Sequence, residues 1–373
     1  MTEVYLDWNA ATPPHPDVVA AMAAAAASGW GNPASVHGAG RRARALVEDC
    51  RETAASVLRV DPRDVVFTSG GTEANNLALR AAPALVTSRI EHPSVVRVAE
   101  HLEGRGVPVR WLPVPPSGRL EPAEVERALA GLERGAFVAL MAVNHETGVI
   151  QPVAEVAAVT RALGAHLHVD AVQAVGRLDL AGLTGADSLA VASHKLRGPK
   201  GIGLLAFRAG RSPVPLLLGG AQERGLRPGT VDAIAAAGFR AALERAEESR
   251  AHYQALAPLR DELERGLAAH ALVNGLQTGR AAHVSNLSFS GCRGDELVAA
   301  LDLEGVRVSS GSACSAGTTE PSVVISAMLG RERATSAVRI SLGEDTGAAQ
   351  VEYAIAAFLR VLGSGGALRS SDG

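Results

Sequence analysis

The chain is short of cysteine, of aromatic side chains and of net charge: its 373 residues include three cysteines, 3% Phe, Trp and Tyr together, and a formal charge of -3 at pH 7. Three cysteines, Cys50, Cys292 and Cys314, cannot build a disulfide framework, and no two of them stand at the CxxC spacing of a zinc or redox site. At least one thiol therefore stands alone. A charge this close to neutral gives no electrostatic footprint for nucleic acid or for an anionic membrane as main partner. No apolar stretch reaches membrane-spanning length, and the opening Met1-Thr2-Glu3-Val4-Tyr5-Leu6-Asp7 lacks the basic-then-apolar order of a secretory leader. A soluble, cytoplasmic protein is expected. What the chain does have is apolar material, 47% of residues against 20% charged, and a length that favours one large domain plus a smaller one.

Apolar runs alternate with helical patterns through most of the chain. Strands are predicted at 64–68, 84–87, 107–112, 137–143, 166–169, 188–192 and 203–207, with helices at 72–80, 93–104, 121–132 and 153–163 between them. Continuous apolar strands separated by helices imply an α/β fold with a mostly parallel sheet covered on both faces, whose ligands bind beyond the carboxyl ends of the strands. A long helical run from 231 to about 270 changes the texture. Beyond it, a half-buried strand at 283–289, a helix at 295–303 and strands at 306–308 and 338–341 read as a separate α+β domain. The expected division is 16–250 for the large domain, with 1–15 and 251–373 forming the small one. In an early helix over 40–58, Leu46, Val47, Cys50, Ala54, Val57 and Leu58 fall at helical spacing, which makes Cys50 a core residue.

The polar motifs sit where strands release the chain. Ser193-His194-Lys195 follows an apolar strand and precedes the turn-forming Gly198-Pro199-Lys200-Gly201. A lysine leaving the interior there is either a surface residue beside a turn or an amine held for Schiff-base chemistry with an aldehyde. Thr68-Ser69-Gly70-Gly71-Thr72-Glu73 runs from a strand through two glycines into a helix, so it is either an ordinary βα turn or a phosphate cradle. Asp170 ends a strand, where a buried carboxylate needs a cation or several donors; a protonated ring nitrogen suits it, and so does a helix cap. His92 and His145 lie at similar junctions and could cap helices, cover a planar ring or move protons. In the second domain, Ser309-Ser310-Gly311-Ser312-Ala313-Cys314-Ser315-Ala316-Gly317 surrounds a cysteine with small residues that could scarcely bury it, which favours a reactive thiol. Cys292, in Ser290-Gly291-Cys292-Arg293-Gly294, remains open between an incidental and a functional role.

Taken together these segments resemble the NifS/IscS-type cysteine desulfurases of the class V aminotransferase group. The likeness covers nearly the whole chain in order, from Tyr5-Leu6-Asp7 and Gly31-Asn32-Pro33-Ala34-Ser35-Val36-His37, through the glycine turn, Glu91-His92, Asn144 to Val149, His168-Val169-Asp170 with Gln173 and Ser193-His194-Lys195. It continues through Arg224-Gly225-Leu226-Arg227-Pro228-Gly229-Thr230 and the Cys314 segment to Val338-Arg339-Ile340-Ser341. The resemblance implies the pyridoxal-phosphate (PLP) fold type I and a PLP-dependent removal of sulfur from L-cysteine that leaves alanine. By position, Lys195 would carry the cofactor, Asp170 would pair with its pyridinium nitrogen, His92 would stack on the ring and Gln173 would reach the phenolic oxygen. Gly71, Thr72 and His194 would bind the phosphate, joined by Thr230 from the other subunit of a homodimer. Arg339 would clamp the substrate carboxylate, and Cys314 would take the sulfur as a persulfide and pass it to an acceptor, an iron–sulfur scaffold or a tRNA-thiolation protein.

The chain departs from the family pattern twice. An asparagine commonly stands where His145 is, and here the asparagine is Asn144, so either residue could meet the substrate. A phosphate-binding serine usually precedes the lysine by three positions; here that position is Ala192, and Ser193 is the nearest hydroxyl. The long segment from Cys314 to Glu320-Pro321 implies direct delivery of sulfur to a partner. Selenocysteine lyase is the nearest rival activity, and a silent scaffold or sulfur-relay relative is a rival of another class, against which Lys195, Asp170, His92 and Cys314 all argue.

Overall fold

The structure, a computed structural model, describes residues 3–208, 212–276, 278–311 and 320–364. Strand β1 (Val4–Tyr5) is followed by helices α1 (Pro16–Ser28) and α2 (Gly38–Leu58). In α2, Ala43, Val47, Cys50, Ala54 and Leu58 are buried at helical spacing, and the helix stops where Arg59 turns left-handed at φ 57°. Cys50 is fully buried, which pushes its thiol well above the ordinary range.

Next come β2 (Val65–Thr68), α3 (Gly71–Leu79), β3 (Leu85–Ser88), α4 (Pro93–Gly104), β4 (Val109–Leu112), α5 (Pro122–Leu129), β5 (Phe137–Met141), α6 (Val153–Leu163), β6 (His166–Asp170), β7 (Ser188–Ala192) and β8 (Gly203–Phe207). These seven strands form one sheet in the order β2-β8-β7-β6-β5-β3-β4. β3, β4, β5, β6 and β7 pair in parallel, while β8 runs antiparallel to both β7 and β2, so it alone is reversed. The expected mostly parallel sheet is present, and its other six strands all end at one edge. That edge carries Ser69-Gly70, His92, Asp170 and the single helical turn Ser193–Lys195.

The helical run expected from 231 to about 270 is broken into α7 (Ala233–Glu244), α8 (Ala246–Gln254) and α9 (Ala257–Leu267). Pro258 supplies one reason: it has no amide to donate, and its ring would collide with the carbonyl of Gln254, so the chain must restart. Then follow β9 (Ala271–Val273), β10 (Val284–Phe289), α10 (Gly294–Leu303), β11 (Val306–Arg307), α11 (Val323–Leu329), α12 (Arg331–Thr335), β12 (Ala337–Ser341) and α13 (Ala348–Ser364). β10 is central in the sheet β12-β10-β9, while β1 pairs in parallel with β11.

β10 was expected half-buried, but all six of its residues are buried. Its polar residues find partners inside: Ser285 donates to Glu264, Asn286 to the Glu146 carbonyl and Ser288 to the Arg333 carbonyl. Alternation of polar and apolar residues therefore marks two packed faces here, one of them hydrogen-bonded.

One apolar core lies against the large sheet and includes Phe67, Leu140, Val169, Leu204 and Phe239. A second gathers Val4 and Leu6 with Leu263, Leu287, Phe289, Ile340 and Phe358. Val284, Ile325 and Met328 pack into the first core, which fixes the later part of the chain over the polar edge of the large sheet. Among the described residues, no helix is long and apolar enough to cross a membrane.

Candidate active site

A cavity of about 460 Å³ lies at that edge. Its walls bring together Gly71, Thr72, His92, His145, Asp170, Gln173, His194, Lys195 and Arg339, residues that come from separate places in the sequence. Ser193, Asn144 and Thr230 are not in its lining, and Cys314 lies outside the described residues.

The turn before α3 forms one end. Gly70 has φ 152°, a backbone region that glycine reaches without cost, and a Cβ on Gly71 would stand 2.6 Å from Val172 Cγ2. The two glycines let the first turn of α3 press against the neighbouring strand end. Its leading amides have no carbonyl within the helix to receive them, so together with the helix dipole they offer an anion site beside the Thr72 hydroxyl.

The opposite wall is built around Asn9. Its carbonyl accepts from Lys195 Nζ at 2.5 Å and from Gln173 Nε2 at 3.1 Å; the Ala10 carbonyl takes Lys195 Nζ at 2.7 Å. Asn9 Oδ1 accepts from Arg177 Nη1 at 3.2 Å, and Asn9 Nδ2 donates to the His145 carbonyl at 3.1 Å. Arg177 also donates to the Gln173 side chain and to the Lys195 carbonyl. Neither Asn9 nor Arg177 was foreseen. The one sequence signal for Asn9 was its place in the turn-rich opening before Pro13, and a buried arginine four residues after Gln173 carries no motif.

Asp170 ends β6 with both oxygens held: Oδ1 accepts from the Val172 amide at 3.0 Å and Oδ2 from Asn75 Nδ2 at 2.7 Å. His92 caps α4, its Nδ1 accepting from the Ser94 amide at 3.1 Å. Burial lowers the His92 pKa first of all, with Asp170 opposing and Lys195 adding to the effect. His194 is lowered to about 4, chiefly by burial and then by the nearby Lys195, Lys200 and Arg177. Both rings are thus held neutral at physiological pH.

His145, and not Asn144, reaches the cavity. The Asn144 amide is consumed by its own loop: Oδ1 accepts from the Glu146 and Thr147 amides at 3.0 and 2.9 Å, while Nδ2 donates to the Ile90 carbonyl at 3.0 Å. His145 meets His92 edge to face with ring centroids 5.6 Å apart, and burial drives its pKa well below the usual value. Arg339 donates to Asp7 Oδ1 at 2.7 Å and to the His145 carbonyl at 3.2 Å. His145 Nδ1 and Arg339 Nε are buried with no hydrogen-bond partner among the described residues. Two such orphans in residues of one wall are what a polar ligand would satisfy.

Ser193 does not join them. It is fully buried, and its hydroxyl fills the space over Gly198, where an added Cβ would stand 2.1 Å away. The one-residue shift from Ala192 to Ser193 turns the hydroxyl to the far side of the chain, and Ala192 takes the cavity face. Thr230 is exposed at the surface of this single chain.

Comparisons with known proteins cover nearly the whole chain. The family model for aminotransferase class-V matches residues 4–354. An IscS-like cysteine desulfurase of Mycobacterium tuberculosis is 39% identical over 370 residues, covering 94% of each chain. Among solved structures, a NifS-like protein superposes with a TM-score of 0.88 at 32% identity, over 97% of this chain and all of the other. A structure described as SspA in complex with cysteine superposes with a TM-score of 0.80 at 30% identity, over 91% of this chain and 99% of the other.

Proposed function

The chain belongs to the aminotransferase class-V family and is a cysteine desulfurase, and from that premise we propose that the cavity holds pyridoxal 5'-phosphate on Lys195 and removes sulfur from L-cysteine. The observation that carries this reading is the convergence on one cavity of a lysine amine, a fixed carboxylate, a neutral imidazole and a glycine-built anion turn. The two orphaned atoms, His145 Nδ1 and Arg339 Nε, leave donor and acceptor capacity for a ligand.

Lys195 would hold the cofactor, with Gly71, Thr72 and His194 at its phosphate and Gln173 at its phenolic oxygen. Asp170 would face the ring nitrogen and His92 its plane. When bound, the cofactor draws electrons from the substrate α-carbon. Lys195 would carry the proton that leaves that carbon, its amine positioned at the cavity by the Asn9 and Ala10 carbonyls. Arg339 and His145 would receive the substrate carboxylate, Arg339 through an edge not committed to Asp7.

The sulfur step assigns Cys314 as nucleophile. Its thiolate forms an S–S bond with the substrate sulfur as the C–S bond breaks, and the carbon takes a proton to become alanine. The substrate carbon is reduced and Cys314 is oxidised to a persulfide, so no outside oxidant is needed. The persulfide then passes to an acceptor protein for iron–sulfur cluster assembly or thio-modification in the cytoplasm.

We further infer a homodimer in which Thr230 completes the phosphate site of the other subunit. Support comes from the apolar surface of the segment leading to Thr230, where Val214, Leu217 and Leu218 are exposed. The division at 16–250, with 1–15 and 251–373 as the small domain, is supported by the second core, which draws only on Val4, Leu6 and residues from Tyr253 onward. Borohydride treatment of the full chain loaded with pyridoxal phosphate, followed by peptide mapping, tests the cofactor assignment. The label is expected on Lys195, and a label on Lys200 would refute it.

A further inference from the structure

One amide, Asn75, stands between the Asp170 carboxylate and the His92 ring. Asn75 Nδ2 donates to Asp170 Oδ2 at 2.7 Å and to Ser94 Oγ at 2.8 Å; its Oδ1 lies 2.9 Å from His168 Nε2. His168 Nδ1 in turn lies 2.8 Å from Ser188 Oγ. Asn75 is on the inner face of α3 and 1% exposed, so water does not complete these contacts.

The donor directions can be solved in sequence. A carboxylate only accepts, so the Asn75 NH2 group faces Asp170 and its oxygen faces His168. His168 must then carry its proton on Nε2, with Nδ1 accepting from the Ser188 hydroxyl. Its pKa is pushed down to about 3 by burial, which keeps the ring in this neutral form. The second Asn75 hydrogen goes to Ser94 Oγ, which has its own hydrogen left to give. His92 Nδ1 lies 2.7 Å away and already accepts from the Ser94 amide. Two donors therefore converge on that nitrogen, and the His92 proton is on Nε2.

We propose that Asn75 is a positioning residue that couples the Asp170 carboxylate to the tautomer of His92, holding His92 as an Nε2–H donor and not as a proton acceptor. The inference rests on reading the cavity as the cofactor site, and it divides the labour there. His92 covers the ring and donates a hydrogen bond, whereas proton transfer at the substrate falls to Lys195. Gaining a proton at Nδ1 would force Ser94 to turn its hydroxyl away while the backbone amide still pointed at the same atom. The other titratable groups around the ring are Asp170 from β6, His145 beyond β5, Lys195 beyond β7 and the preceding Glu91. Arg80, Arg97 and His101 line the groove outside it.

The test is two-bond 1H–15N correlation on the full chain labelled at histidine, recorded with and without pyridoxal phosphate, with His92→Gln to assign the signal. Wild-type His92 is expected in the Nε2–H form, with a titration midpoint below the ordinary range. Ser94→Ala and Asn75→Ala should each raise that midpoint by about half a unit or more, since each removes a contact that favours the neutral ring. Ser94→Thr, which keeps the hydroxyl, should restore it. Ser94→Ala removes one oxygen and serves where Asn75→Ala fails to fold. An Nδ1–H pattern in the wild type, or a midpoint unmoved by a folded Asn75→Ala or, where that variant does not fold, by Ser94→Ala, overturns the proposal. Failure of the wild type to bind pyridoxal phosphate would instead refute the cofactor reading and leave the tautomer measurement intact.

Discussion

Gly71→Ala probes how closely α3 must approach the end of β6. The added Cβ would stand 2.6 Å from Val172 Cγ2, with Ala192 Cβ at 3.7 Å and Val172 Cβ at 3.9 Å as ordinary contacts. Carbon atoms rest at roughly 3.5–4.0 Å, so the overlap with that one methyl is about 1 Å. Valine is stiff about χ1 and cannot swing the methyl aside cheaply, which leaves the helix turn itself to move. Overpacking of this kind costs about 1–3 kcal/mol, and because it displaces the leading amides of α3, affinity for pyridoxal phosphate should fall by about 10-fold to 100-fold. Val172→Ala deletes the offending methyl. The double variant should therefore recover most of both losses, with a coupling energy of about 1–2 kcal/mol in a double-mutant cycle. Urea unfolding and titration with pyridoxal phosphate measure the two quantities. Equal affinity in Gly71→Ala, or additive effects in the double variant, would refute the close-approach reasoning.

Two further expectations concern stability. Arg51 and Glu223 form a buried bidentate pair, with side chains 5% and 4% exposed, and Glu223 Oε2 also accepts from the Phe67 amide at 2.8 Å. Glu223→Ala strips that guanidinium of its buried partner and leaves the Phe67 amide unpaired, while the half-exposed Glu48, 3.0 Å from Arg51 Nε, still offsets part of the charge. The cost should be about 2–4 kcal/mol in urea unfolding, and a loss under about 1 kcal/mol would contradict the pairing argument. His168 has its pKa lowered from 6.5 to about 3 by burial, so its contribution to stability is present above 6.5 and lost as pH falls towards 3. Each proton taken up only on unfolding gives a slope of about 1.4 kcal/mol per pH unit. His168→Gln should flatten the acid limb of the stability profile between about pH 6 and 4, and an unchanged slope there would exclude His168 as its source.

The apolar strands were legible because parallel strands buried on both faces read as unbroken runs, and β7 and β8 fell on the expected residues. The reversal of β8 was not legible, since a strand buried on both faces looks the same in either direction. In the site, Lys195, Asp170, His92 and the glycine turn could be read because each is a reactive or conformational residue at a strand end. Asn9, Asn75 and Arg177 could not, because they act by holding other groups and their types are common in turns and on helices. Which of Asn144 and His145 faces the cavity could not be read, because it depends on hydrogen bonds that hold the Asn144 amide to Glu146, Thr147 and Ile90.

The central claim is that Lys195 and Cys314 together turn L-cysteine into alanine and a protein-bound persulfide. Incubation of the full chain with pyridoxal phosphate and L-cysteine, followed by alanine quantification and mass spectrometry of the Cys314 peptide, tests it directly. The wild type is expected to release alanine and to carry one added sulfur on Cys314, Lys195→Ala to do neither, and Cys314→Ala to lose the persulfide together with sulfur release. Alanine formed at the wild-type rate by Lys195→Ala, or sulfur accumulating on Cys292 instead, would contradict the account.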